Sequence, residues 1–332
     1  MSAETDFHSR FSSVRHNVPA STPSFTLACN VYHRIPSSVH SASHNAAVPP
    51  IIFTHANGFH KEIWEPVIAR MSKRWTAGDM YAFDCRNHGD SAVLNKDVLE
   101  DTFNWYSYAE DILKIVDTFG LKNAIAVGHS FGASAFILAE AMRPGTFSTI
   151  IAIDPTMFPI SLFENPPLED NHMGQLTLKR SDRWKDRNEA RSKLLEKKFF
   201  KAWHPEVLEL YLKFGLKDVV NEDGSTEVTL KCPKYQEAIC FAAVGGGVND
   251  AFDRLSDLCI PVHIIAGENS DINVSELVEL KVAQCKYGSS VSIKGTGHLV
   301  SLEKPQETAE QMCAFLDHVL DAEQQDRPKA RL

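Results

Sequence analysis

A mostly parallel, doubly wound α/β sheet carrying an inserted, mainly helical segment is the fold class this sequence predicts. Three observations carry that expectation. Short apolar strand-like runs alternate with amphipathic helical stretches at both ends of the chain, the pattern of a parallel sheet covered on both faces. The alternation breaks between about residues 156 and 250. A Gly-His-Ser-Phe-Gly run at 128–132 sits between a strand-like and a helix-like stretch.

The elements follow in order. Residues 1–23, rich in Ser, His and Pro, read as a flexible N-terminal arm. An opening strand is expected over 25–35, then a Ser/His/Ala/Pro-rich connection over 37–50. Pro50-Ile51-Ile52-Phe53-Thr54 is a buried-strand run, and 61–75 carries Ile63, Val67, Ile68 and Met71 on one helical stripe. Residues 80–83 form the next strand. Tyr108, Ile112, Ile115, Val116 and Phe119 recur at helical spacing over 105–119, with Gly120 as the stop. Strands at 124–127 and 149–153 flank a helix, strands at 262–266 and 291–293 follow, and a last helix spans 306–320. The core is therefore expected over 24–155 and 251–322, with a mainly helical lid at 156–250 holding Trp184 and Trp203, and a tail at 323–332. In such folds ligands bind above the carboxyl edge of the sheet, where this lid would lie.

Composition narrows the function classes. With 332 residues and 43% hydrophobic content, the chain supports one large core plus an insertion. A formal net charge of -9 disfavours nucleic acid as the main partner. The seven cysteines are scattered, odd in number and never form C-x-x-C, so neither a zinc site nor a disulfide framework is expected. Neither a metal nor a cofactor is called for. The first residues lack the apolar stretch of a signal peptide, and no apolar run approaches the roughly 20 residues of a membrane span, so a soluble protein is expected.

The Gly-x-Ser-x-Gly run makes Ser130 the candidate nucleophile. A sharp strand-to-helix turn strains the serine backbone, excludes side chains two positions either side, and lifts the hydroxyl to a helix N-terminus. A Gly/Ser turn that merely connects strand to helix is the plainer alternative. A serine needs a base, and His298, between glycines in the last strand–helix loop, is the candidate. The base in turn needs a carboxylate. Asp271, after the strand that ends at Ala266, is the expected acid, with Glu268 and Asp154 as the alternatives. The oxyanion hole is expected from the Phe131 N–H and, in the loop His55-Ala56-Asn57-Gly58, the Asn57 N–H. His55 is expected to brace that loop.

These residues resemble the α/β-hydrolase superfamily over nearly the whole chain. Asp84-Cys85-Arg86-Asn87-His88-Gly89-Asp90-Ser91 resembles the D-x-R-G-H-G-x-S segment of its lipase/esterase branch, which in that family is structural. Residues 297–305 are similar to its terminal G-H-x-x-x-x-E-x-P stretch. More narrowly, the 55–60 loop, Lys231-Cys232-Pro233 and the C-terminus resemble fungal peroxisomal lipase-like and toxin-biosynthesis hydrolases. Two departures stand out: the usual His-Gly pair is His55-Ala56, and the usual G-x-x-D acid falls on Ser270, one residue before Asp271. The resemblance implies a serine esterase, lipase or thioesterase working through an acyl-enzyme. An acyltransferase with the same triad, or a non-catalytic ligand-binding relative, are the rival readings.

Ala330-Arg331-Leu332 is a variant of the S-K-L peroxisomal address, so a peroxisomal import receptor is the expected partner and the peroxisome, otherwise the cytoplasm, the expected location. Between residues 179 and 201 ten Lys/Arg face four Asp/Glu, a local balance of +6. A solvated helix face is its plainer reading; attraction of an anionic acyl substrate, such as an acyl-CoA, or peripheral membrane contact is the sharper one.

Overall fold

The computed structural model describes residues 3–35, 49–75, 78–162, 166–243 and 246–325, with side chains from 7 to 319 of these. Ala330, Arg331 and Leu332 lie outside the described residues. One eight-stranded sheet runs in the order β1-β2-β4-β3-β5-β6-β10-β11. Its strands are β1 (Phe11–Pro19), β2 (Thr26–Arg34), β3 (Ile51–Thr54), β4 (Met80–Phe83), β5 (Ala124–His129), β6 (Phe147–Ile153), β10 (Val262–Gly267) and β11 (Gly288–Ile293). From β4 through β11 every neighbour pair is parallel, and β1 and β2 add an antiparallel edge.

The central strands read as unbroken apolar runs because helices cover both faces. Helices Trp105–Phe119 and Phe131–Met142 press Tyr108, Ile112, Ile115 and Phe136 onto one face. Helices Glu65–Met71 and Pro305–Gln325 bring Val67, Ile68, Met312 and Leu316 to the other. Ile112 is fully buried, and truncation to alanine there is expected to cost about 2–5 kcal/mol. Helix Trp105–Phe119 begins with the Asn104 side chain accepting from Tyr106 N–H and ends at Gly120 in the left-handed conformation (φ 62°).

Three expectations need correction. The segment 1–23 is not a loose arm. Ala3–Arg10 is helical, and β1 pairs residue for residue with β2 from Phe11↔Arg34 to Pro19↔Thr26. Phe7, Phe11 and Val18 are buried, while Ser12–Asn17 face solvent, so this edge strand has no apolar alternation to reveal it. The expected helix over 61–75 is a 3₁₀ turn, Lys61–Trp64, followed by a shorter α-helix, Glu65–Met71, whose Pro66 fits only a first turn.

The insertion between β6 and β10 is not helical alone. Beside helices such as His172–Lys179, Pro205–Phe214 and Lys234–Phe241, it holds a three-stranded antiparallel sheet of β7 (Arg183–Trp184), β9 (Thr226–Leu230) and β8 (Leu216–Val220). The hairpin turns at Asn221-Glu222-Asp223-Gly224-Ser225, where Gly224 supplies the positive φ (78°). No helix among the described residues is long and apolar enough to cross a membrane.

Candidate active site

Strand β5 delivers Ser130 directly into the helix Phe131–Met142, and the turn is tight. Ser130 has φ 56° and ψ −122°, a conformation L-residues hold only under constraint. The constraint is visible. Ser130 N–H donates to Ile153 O on the neighbouring strand (2.8 Å). A Cβ on Gly128 would lie 2.5 Å from Ala133 Cα, and one on Gly132 2.6 Å from His55 O. Glycine at both positions is therefore a packing requirement of the turn.

His298 reaches the serine from the loop after β11. Its Nε2 lies 2.9 Å from Ser130 Oγ. The loop can pass close to the sheet because Gly267 has no side chain: a Cβ there would sit 2.0 Å from Gly297 O. Two further contacts fix it. Glu303 accepts from Gly297 N–H (3.1 Å), and buried His129 bonds through Nε2 to His298 O (2.9 Å). Burial, reinforced by the neighbouring His298, pushes the His129 imidazole down to about 3, so it is a neutral Nε2–H donor to that carbonyl.

The carboxylate against His298 is Asp154, not Asp271. Asp154 follows β6 directly, also at positive φ (41°), and its Oδ1 lies 2.7 Å from His298 Nδ1. Three more groups donate to it. Ser270 Oγ and Asn273 Nδ2 each approach Oδ1 at 2.7 Å, and Gly267 N–H approaches Oδ2 at 2.8 Å. Burial alone would raise this carboxyl; the hydrogen bond and charge of His298, with the Gly267 and Asn273 donors, outweigh it and hold Asp154 below the ordinary range. Asp271 is exposed, because the chain leaving β10 turns Ser270 inward and its successor outward. Glu268, the other alternative, is exposed and accepts from Gly295 N–H (2.8 Å), a brace on the His298 loop.

Sequence reasoning also missed Thr156, whose Oγ1 lies 2.8 Å from Ser130 Oγ. With the threonine donating, the serine proton is free to point at His298. No short pattern marks such a residue. The only signal was its place two residues beyond a strand-ending acid.

The two expected oxyanion donors are the Phe131 N–H, at the start of the helix that follows Ser130, and the Asn57 N–H, in the loop after β3. The first is one of the unpaired donors every helix start leaves. The second lies in a loop held from several sides. His55 accepts from Cys85 N–H at Nε2 (3.0 Å) and donates from Nδ1 to Ala56 O (2.8 Å), while burial keeps it neutral, near 3. Gly58 N–H donates to His88 Nε2 (2.9 Å), and Asn57 Nδ2 to Glu237 O of the insertion (3.0 Å). His55 is a loop brace.

The segment Asp84–Ser91 does structural work. Lys61, fully buried, places its ammonium against Glu62, Asp84 and Asp90 at 2.7–2.9 Å, and Arg86 grips Asp111 through two bonds of 2.8 and 2.9 Å. Half of the cations in the basic run at 179–201 are paired. Arg180, Arg183, Arg187, Arg191 and Lys193 pair with Glu237, Glu227, Asp218, Glu209 and Glu196. No cluster of three or more His, Cys, Asp or Glu suited to a metal occurs among the described residues.

The comparisons with known proteins agree with this fold. The sequence matches the alpha/beta hydrolase family over residues 51–311. It is 25% identical over 283 residues to the peroxisomal membrane protein LPX1 of Saccharomyces cerevisiae, covering 77% of this chain and 71% of that protein. It is 24% identical over 265 residues to the type I acyl-CoA thioesterase mpaH of Penicillium roqueforti, covering 69% of this chain and 60% of that one, so it spans about three-fifths of that relative. The solved structure of the yeast peroxisomal alpha-beta-hydrolase Lpx1 superposes with a TM-score of 0.79 at 20% identity, over 94% of this chain and 90% of that one, a likeness of fold. With a serine turn, a histidine loop and a strand-end carboxylate assembled on this sheet, and a family match over most of its length, the chain belongs to the alpha/beta hydrolase family.

Proposed function

We propose that the protein is a serine hydrolase that cleaves a carboxylic ester or thioester through an acyl-enzyme on Ser130. The observation that carries this reading is the unbroken chain from Ser130 Oγ to His298 Nε2 (2.9 Å) and from His298 Nδ1 to Asp154 Oδ1 (2.7 Å). His298 takes the serine proton as Oγ attacks the acyl carbon; Asp154 holds the ring in the required tautomer and stabilises the imidazolium that forms. The developing oxyanion meets the N–H groups of Phe131 and Asn57. His298 then gives its proton to the leaving alkoxide or thiolate, and water, activated by the same imidazole, releases the acid.

Relatives named for thioester hydrolysis and for the peroxisome support acyl thioesters as one substrate class and the peroxisome as the location, the latter through Ala330-Arg331-Leu332. The segment 156–250 acts in this reading as the lid that selects the acyl group. Its basic run adds little to the case for an anionic substrate, since half of its cations are already paired.

A fluorophosphonate probe tests the mechanism directly. Wild type should label covalently and Ser130→Ala should not. A folded wild type that stays unlabelled overturns the reading. A panel of acyl-CoAs against p-nitrophenyl esters then assigns the leaving group, and removal of the last three residues from a fluorescent fusion should turn puncta into diffuse signal.

A further inference from the structure

Behind the Ser130–His298–Asp154 chain lies a lysine that the mechanism does not use. Lys281, on the helix Ser275–Gln284, has no exposed surface, and its ammonium touches no carboxylate among the described residues. A buried cation without a contacting counter-ion is costly, so its neighbours matter. Nζ donates to Pro155 O (2.9 Å) and to Asn273 Oδ1, and it sits 5.1 Å from the centre of the Phe158 ring. Asn273, itself buried, donates through Nδ2 to Asp154 Oδ1 (2.7 Å) and to Pro155 O (3.3 Å).

The chemistry of these groups leaves one arrangement. An ammonium only donates and a carboxylate only accepts. The amide between them must therefore turn Oδ1 to Lys281 and Nδ2 to Asp154. We propose that Lys281 is a positioning residue for the catalytic acid: through Asn273 it orients the Asp154 carboxylate and places a positive charge behind it. The inference rests on the reading of Ser130, His298 and Asp154 as the catalytic set.

Charged groups on the elements around Lys281 are few. Helix Gly247–Asp253 brings Asp250, which is held by Tyr106, and Asp253; the following turn brings Arg254 and Asp257, which pair with each other. His263 on β10 is engaged with Ser289. On its own helix, Glu276 and Glu279 are exposed. Asp154 is the group whose charge acts on Lys281. Burial, partly offset by that carboxylate, brings the ammonium down to about 7, so it is charged throughout the acidic range.

The test is the pH profile of fluorophosphonate labelling, which needs no knowledge of the substrate. Lys281→Met and Lys281→Gln remove the charge, and Lys281→Arg keeps it. Without the positive charge behind Asp154, the acidic limb of labelling should move up by about half a pH unit. That is about a three-fold lower rate at pH 6, beyond any pH-independent loss. Lys281→Arg should keep the wild-type limb. Lys281→Gln retains a donor for Pro155 O and carries the test if Lys281→Met does not fold. A folded neutral variant whose limb superposes on wild type, even with a uniformly lower rate, overturns the proposal and leaves Lys281 a packing residue. A wild type that does not label overturns instead the underlying assignment of Ser130.

Discussion

Ser270 Oγ lies 2.7 Å from Asp154 Oδ1, although the two residues are 116 apart in sequence. Ser270 stands where the G-x-x-D pattern puts an acid, and it donates to the carboxylate that stands instead at the end of β6. The position still serves the same imidazole, with its role reversed from acceptor to donor. Two carboxylates so close could not both ionise, so a hydroxyl at 270 is the side chain that the Asp154 arrangement calls for.

Asparagine at 154 keeps the shape and loses the charge. Asp154→Asn is expected to lower kcat on a p-nitrophenyl ester by about 10³–10⁴-fold, whereas Asp271→Asn should stay within about two-fold of wild type. The reverse ranking would restore Asp271 as the acid.

Gly267 sets the approach of the histidine loop. An alanine Cβ there would meet Gly297 O at 2.0 Å, and the loop must retreat. A displacement of about 1 Å at His298 is expected to cost about 100-fold in kcat while the protein remains folded, checked by circular dichroism beside turnover.

Lys61 is a test of the buried charge cluster. Lys61→Met leaves Asp84, fully buried, without its cation and is expected to destabilise the fold by about 3–5 kcal/mol in urea unfolding.

Stability should also fall in mild acid. His55 and His129 are pushed by burial to about 3, and His88 well below its usual value. An unfolded chain binds protons at these sites from about pH 6.5 downward while the folded one does not. Their contribution is therefore present above about 6.5 and is lost as pH falls towards 3. His55 and His129 each remove about 2 kcal/mol by pH 5, and His88 acts in the same direction. Thermal scans from pH 7.5 to 5 should show a falling midpoint, with a shallower fall in His129→Gln.

Much of this was legible in the sequence. The central strands and the helices at 105–119 and 131–142 announce themselves by apolar runs and helical spacing, and Ser130 and His298 by glycines in strand–helix loops. The acid was not fixed, because Ile153-Asp154-Pro155 looks the same whether it ends a strand quietly or faces a histidine 144 residues away. Ser270, Asn273, Lys281 and Thr156 act only through three-dimensional proximity, so no local pattern marks them. The first strand escaped notice because an edge exposed on both sides needs no apolar rhythm, and the hairpin at 216–230 because charged residues interrupt its alternation.

Thr156, three residues past the end of β6 and the first residue of the proposed lid, already touches the nucleophile through its hydroxyl and, at 3.4 Å, through its N–H to Ser130 O. The segment is thus not a detachable module. Transplanting it onto another sheet, or exchanging it for a foreign one to alter substrate range, grafts the seam into the reacting centre, and chimeras joined downstream of Thr156 should keep turnover that those joined at Pro155 lose.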